Sequence, residues 1–128
     1  MKKLALVLVA MLTMVFTGCK TETSTVTIYV EDSTGEPVAL RPILYADLAT
    51  IIIEAALPSP ESLATGIPDG WNYIETNRNG IAQFQISLSV SKMDYVFDVW
   101  DNGRRDWVEK TVKLHRGENE EIKFVVQN

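Results

Sequence analysis

Thr25-Val26-Thr27-Ile28-Tyr29-Val30 is the stretch on which the fold turns. Val26, Ile28 and Val30 alternate with Thr25, Thr27 and Tyr29, the period-2 pattern of a half-buried strand rich in β-branched residues. Asp32-Ser33-Thr34-Gly35 follows as a turn cluster. Pro37 opens a second run from Val38 to Tyr45. Pro42 lies inside it and donates no ladder hydrogen bond, so this run is expected at a sheet edge or a bulge. Downstream, Trp71 to Thr76 reads as a strand, Asn77-Arg78-Asn79-Gly80 as a hairpin turn, and Ile81 to Leu88 as the partner strand. Tyr95, Phe97 and Val99 alternate with Val96, Asp98 and Trp100 before a turn at Asp101-Asn102-Gly103. Trp107 to Leu114 and Glu121 to Val126 are expected to close the chain as a final hairpin around Arg116-Gly117-Glu118-Asn119.

About seven short strands with little helix predict an all-β fold, a single antiparallel Greek-key sandwich over residues 25–128. Trp71, Trp100 and Trp107 are read as core and rim packing rather than a ligand platform. Ala46 to Gly70 is the exception to the regular pattern. Asp47 is suited to cap a short helix over Leu48 to Leu57, although Thr50-Ile51-Ile52-Ile53 is β-branched and poor for helix. Pro58, Pro60, Pro68 and Asp69-Gly70 interrupt whatever forms. A long insert at 46–70 is either a functional loop or a segment that packs Ile51 to Leu57 over the core.

The segment Val26 to Val38, an alternating strand running into Gly35-Glu36-Pro37-Val38, resembles the opening of carboxypeptidase-regulatory-like and transthyretin-like domains. Thr76 to Phe84, with Gly80, Ala82 and Phe84 in place, is similar to their later Thr-x-x-x-Gly-x-Ala-x-Phe hairpin. Leu40-Arg41-Pro42 departs from the pattern, and so does the 46–70 insert. The resemblance implies a small prealbumin-like sandwich, a scaffold found in surface lipoproteins of gut Bacteroidetes and rarely itself an enzyme. Transthyretin-like sandwiches include a hydroxyisourate hydrolase that uses histidines and a C-terminal tetrapeptide beginning Tyr-Arg-Gly. This chain has one histidine, His115, and ends Phe124-Val125-Val126-Gln127-Asn128, so that activity is not implied.

The N-terminal segment carries an address. Lys2 and Lys3 precede an apolar run from Leu4 to Phe16 interrupted only by Thr13. At about 13 residues this is too short to span a bilayer, and it reads as a signal peptide over residues 1–18. Phe16-Thr17-Gly18-Cys19 resembles the lipobox of bacterial lipoproteins, in which an apolar residue and two small ones precede the cysteine. The resemblance implies cleavage before Cys19 and a diacylglycerol thioether on its sulfur. Several acyl chains on one residue anchor firmly, each buried CH₂ contributing about 0.8 kcal/mol. Residues 19–24 then form the lipidated cysteine and a short polar tether. No Asp follows Cys19, which by the same resemblance favours the outer membrane, on either its periplasmic or its cell-surface face.

Charge and residue types narrow the chemistry. The formal net charge of −5 becomes −7 once Lys2 and Lys3 leave with the signal segment. That argues against nucleic acid, whose phosphates are met by clustered Lys and Arg, and favours a soluble monomer. Cys19 is the one cysteine, so no internal disulfide forms, and no Gly-x-Ser-x-Gly elbow occurs. His115 is read as a surface histidine at a strand end. Calcium has two candidate groups, Asp98 with Asp101 and Asn102, and Glu31 with Asp32 and Glu36, neither at EF-hand spacing. No cofactor and no metal are expected. The expected role is a non-catalytic binding module, held to the membrane through lipid on Cys19 and contacting a glycan, a peptide or a protein partner. The alternative is a structural or accessory subunit of a surface assembly, in which strand edges pair with other chains.

Overall fold

The computed structural model describes residues 22–51 and 56–128. Seven strands are present: β1 (Thr23–Glu31), β2 (Pro42–Asp47), β3 (Asn72–Glu75), β4 (Ile81–Ser87), β5 (Lys92–Asp101), β6 (Asp106–His115) and β7 (Asn119–Val125). They form two sheets, β4-β1-β7 and β3-β2-β5-β6, the all-β sandwich that the alternating pattern predicts. The core between them is filled from both sheets by the inward side chains of each strand. Val26, Ile28 and Val30 meet Ile43, Phe97, Val99 and Phe124, all fully buried or within 1% of it. Each such side chain contributes about 1.5–3 kcal/mol by leaving water.

Four pairings are antiparallel, and β1 with β7 is parallel, Thr25 opposite Asn119 and Glu31 opposite Val125. Parallel neighbours need a long crossover. Here everything between the first and last strands serves as that crossover, so β7 enters the sheet from the same end as β1.

Two expected hairpins are crossings from one sheet to the other. The turn at Asn77–Gly80 forms as anticipated, with the Asn77 side chain accepting from the Asn79 and Ile81 N–H groups at 2.8 and 3.1 Å. Gly80 has φ +71°. Yet β3 pairs with β2, and β4 pairs with β1. The divergence is enforced on both sides of the turn. The buried Thr76 hydroxyl donates to the Val38 carbonyl at 2.7 Å and accepts from the Arg41 N–H at 2.9 Å. Gly80 lies so close to β1 that a Cβ there would stand 2.6 Å from the Val30 oxygen. Likewise the turn at 115–118 passes the chain from β6, paired with β5, to β7, paired with β1. The hairpin the domain does contain at this side is β5–β6, closed between Asp101 and Asp106.

Pro42 does not mark an edge. It is the first residue of β2, opposite Glu75 of β3, and the ladder to β5 begins one residue later at Ile43–Val99. A proline at the first position of a strand removes no interior ladder bond. The strand continues through the buried Ala46 to Asp47, so the irregular segment starts at Leu48 rather than at residue 46. Asp47 accepts from the Ala49 N–H at 2.9 Å, making a turn instead of a helix cap. Residues 52–55, which include Ile52 and Ile53, lie outside the described residues. Beyond them the regular piece is a 3-10 helix, Ser62–Thr65.

Candidate functional site

Strand β5 is buried on both faces from Val96 to Asp101. Phe97 and Val99 belong to the core between the sheets, whereas Val96, Asp98 and Trp100 point the other way, as successive side chains on a strand must. Leu44 and Ala46 of β2 share that outer face and are fully buried. Residues 56–71 run across it as a strap. The Trp107 indole N–H donates to the Pro58 carbonyl at 2.9 Å. Arg105 Nη2 lies 3.2 Å from Glu61 Oε1. Leu63 is buried at 8% exposure, and Trp100 packs edge-on against Trp107 with ring centroids 5.2 Å apart. The Arg105 guanidinium lies over the Trp100 ring at 5.3 Å. The chain then turns back, Trp71 N–H to the Pro68 carbonyl at 3.1 Å, and enters β3.

The face that the strap crosses also holds a carboxyl group. Asp98 is 2% exposed and stands opposite Leu44 on one side and Glu109 on the other. Its Oδ2 has no hydrogen-bond partner among the described residues. Burial pushes its pKa up to about 8, with the Glu109 and Asp106 carboxylates adding to the rise. Desolvation penalises the charged form, and neighbouring negative charge penalises it again. Both effects favour the protonated form of Asp98 well above the usual carboxylate range. On the same face Tyr73 of β3 donates to Glu75 Oε2 at 3.0 Å, and its phenol is raised to about 12 by burial first and the carboxylate second.

The candidate calcium groups do not assemble into a site. Asp98 and Asp101 fall on opposite faces of β5; Asp101 is 1% exposed and accepts from the Arg104 N–H at 3.0 Å. Asp32 spends its carboxylate on Thr34 and Glu36 N–H groups and on the Thr34 hydroxyl at 2.6 Å, which holds its pKa below the usual carboxylate range. Glu31 pairs with Lys123 at 2.8 Å. Among the described residues no cluster of three His, Cys, Asp or Glu side chains could hold a metal ion. His115 ends β6, half-buried, with Nδ1 3.8 Å from Glu118 Oε2. Trp100 is buried; Trp107 and Trp71 are half-buried at the strap. Cys19, residues 1–18 expected as a signal peptide, and the start of the expected tether lie outside the described residues.

A second buried polar group escaped the sequence reading. Arg41 is 8% exposed, its Nη2 donating to Asn128 Oδ1 at 2.7 Å and its Nε without a partner among the described residues. Burial pulls its pKa down, and the charge of Asp101 opposes that. With Thr76 it fastens the β1–β2 connection to the far end of the sandwich. The preceding Leu40 is 69% exposed and held at φ +54°. At the opposite end Asp47, Leu48, Ala49, Met93 and Asp94 line an open cleft of about 210 Å³.

The chain matches no family model, and none of the curated proteins matches it.

Proposed function

We propose that this chain is a lipid-anchored, non-catalytic binding module of the bacterial outer membrane, attached through Cys19 and built on a prealbumin-like sandwich. The observation that carries the binding role is the strap. A long irregular segment is held on a rigid sheet by the Trp107–Pro58 hydrogen bond and the Arg105–Glu61 ion pair, which is how scaffolds display contact surfaces. The carboxyl on the face it crosses is shielded from solvent, as suits a supporting group rather than a catalytic acid. The lipobox-like Phe16-Thr17-Gly18-Cys19, following a charged and then apolar segment, supports the anchor. The two-sheet, seven-strand architecture supports the family resemblance.

Two measurements test this reading. A palmitate analogue fed to a bacterial host should label the parent and not Cys19→Ser; equal labelling of both would end the lipoprotein claim. The unlipidated chain 20–128 should then select a ligand from glycan and peptide arrays. Replacing residues 58–67 by an equally long Gly/Ser segment should abolish that binding. A ligand held equally well without the strap would contradict the assignment of the contact surface.

A second reading, a subunit of a surface assembly, is favoured by strand β4. Among the described residues β4 pairs on one side only, and Ile81–Ser87 carries no charge and no proline, the usual guards of an edge. The edge protection that Pro42 suggested belongs to an interior strand. Concentration-dependent oligomers of the chain 20–128, abolished by Gln83→Lys, would favour this reading over a monomeric module.

A further inference from the structure

The two ends of the sandwich are unlike, and only one can face the anchor. Strand β1 starts at Thr23, and Glu22 before it accepts the Leu88 N–H. Around that start the Gly117 N–H donates to the Thr23 carbonyl at 2.8 Å and the Arg116 N–H to the Ser91 carbonyl at 2.9 Å. Arg116 Nη1 lies 3.6 Å from Glu22 Oε1. The links 88–91 and 115–118 therefore ring the point at which the tether enters. Three residue steps separate Cys19 from Glu22, about 11 Å of chain at full extension. The turns at 32–36, 77–80 and 101–105 lie at the other end of β1, whose nine residues span about 30 Å at roughly 3.3 Å each.

We propose that the end formed by 88–91 and 115–118 seats on the lipid surface, with Val90 at the acyl boundary and Lys92 against headgroup phosphates. This rests on the lipoprotein reading of Cys19. Val90 is 48% exposed at the tip of its link, an apolar side chain turned to solvent beside the exposed Lys92. Lys92 makes no ion pair among the described residues. A tether this short cannot lift that end far from the headgroups, so a small apolar and basic contact suffices to fix the orientation. Strand β1 then rises from the membrane. The ligand or partner is met by the strap and by the far turns, where Arg105 ties the strap down and Leu40 projects.

The test uses the full-length lipoprotein, purified from a bacterial host and reconstituted in vesicles of phosphatidylethanolamine and phosphatidylglycerol. Once Cys19 is acylated the chain holds no other thiol, so Ser89→Cys or Asn79→Cys takes a single fluorescent label. Lipid-borne quenchers at headgroup depth should quench the label at 89 several-fold more than the label at 79. Adding Val90→Ser and Lys92→Glu, both at exposed positions, should reduce quenching at 89 at least two-fold. Equal quenching at 89 and 79 with an acylated mass, or quenching at 89 indifferent to the double substitution, overturns the seating and leaves the anchor intact. An intact mass without acyl chains overturns the anchor itself, and the seating with it.

Discussion

Asp98→Asn isolates the buried carboxyl on the face that the strap crosses. The folded domain holds that group with a pKa raised from 3.8 to about 8, so folding favours its protonated form. The contribution of this group to stability is full below pH 4, where the unfolded chain is protonated too. It falls as pH rises through the window between 3.8 and 8 and levels off above it. At about 1.4 kcal/mol per pH unit the whole window is worth roughly 5–6 kcal/mol, of which roughly 4 is spent by pH 7. Asparagine keeps the shape and never ionises. Its amide brings N–H donors whose desolvation costs about 1–3 kcal/mol when unpaired, although Glu109 stands opposite as an acceptor. The net expectation is a variant about 1–3 kcal/mol less stable than the parent at pH 4 and about 1–3 kcal/mol more stable at pH 7, with a larger gain at pH 8.5. For a domain of this size each kcal/mol moves Tm by about 4–8 °C. Urea unfolding of the chain 20–128 and of the variant, followed by circular dichroism from pH 4 to 9, measures the difference, and groups not coupled to Asp98 cancel. If the two proteins keep the same difference in midpoint at pH 4 and pH 8.5, Asp98 is not protonated in the folded domain and the reasoning fails.

Gly80→Ala should cost at least about 2 kcal/mol, because its Cβ would stand 2.6 Å from the Val30 carbonyl and 2.9 Å from the Val38 nitrogen at φ +71°. Gly35→Ala, at φ +89° with open space around the Cβ, should cost only about 1 kcal/mol. Similar losses for the two in urea titrations would deny the close approach of the crossing to β1. Trp107→Phe removes the bond to the Pro58 carbonyl and should cost about 0.5–1.5 kcal/mol while leaving the β spectrum unchanged. Limited proteolysis should then cut between residues 56 and 70 faster than in the parent; an unchanged cutting rate would show that the indole does not hold the strap.

The strands were legible because a half-buried strand writes its parity into its own residues, as Val26, Ile28 and Val30 do. Which sheet each strand joins was not. Asn77–Gly80 has the chemistry of a tight hairpin turn, and the turn forms. Its flanks part because Thr76 bonds to Val38 and Arg41 and because Gly80 touches Val30, contacts 35 to 50 residues away along the chain. Turn chemistry is local, and sheet membership is not. Pro42 misled for the same reason: its missing donor is harmless at the first position of a strand, and where β2 starts depends on β3, thirty residues on.

The site was hidden more deeply, although it left a trace. Val96, Asp98 and Trp100 share one parity, so a carboxyl stands between two large apolar residues on the face that the alternation assigns to water. Apolar residues at outward positions are a sign that something lies over them, and the segment without strand periodicity, 48–71, was available to be that cover. Taking the signs separately yields a turn carboxylate and an insert. Taken together they point to one unit, because the strap is tied to Trp107 and Arg105, which pack on Trp100, and it crosses the face on which burial raises the pKa of Asp98. Two effects on that face then oppose each other as pH rises: its apolar contacts keep stabilising the domain while the carboxyl among them increasingly resists burial. Releasing the strap in a Trp107→Phe, Glu61→Ala background should let water reach Asp98 and lower its pKa toward 3.8, flattening the pH dependence that Asp98→Asn abolishes outright. A pH profile as steep as the parent's in that background would separate the strap from the carboxyl and break the unit apart.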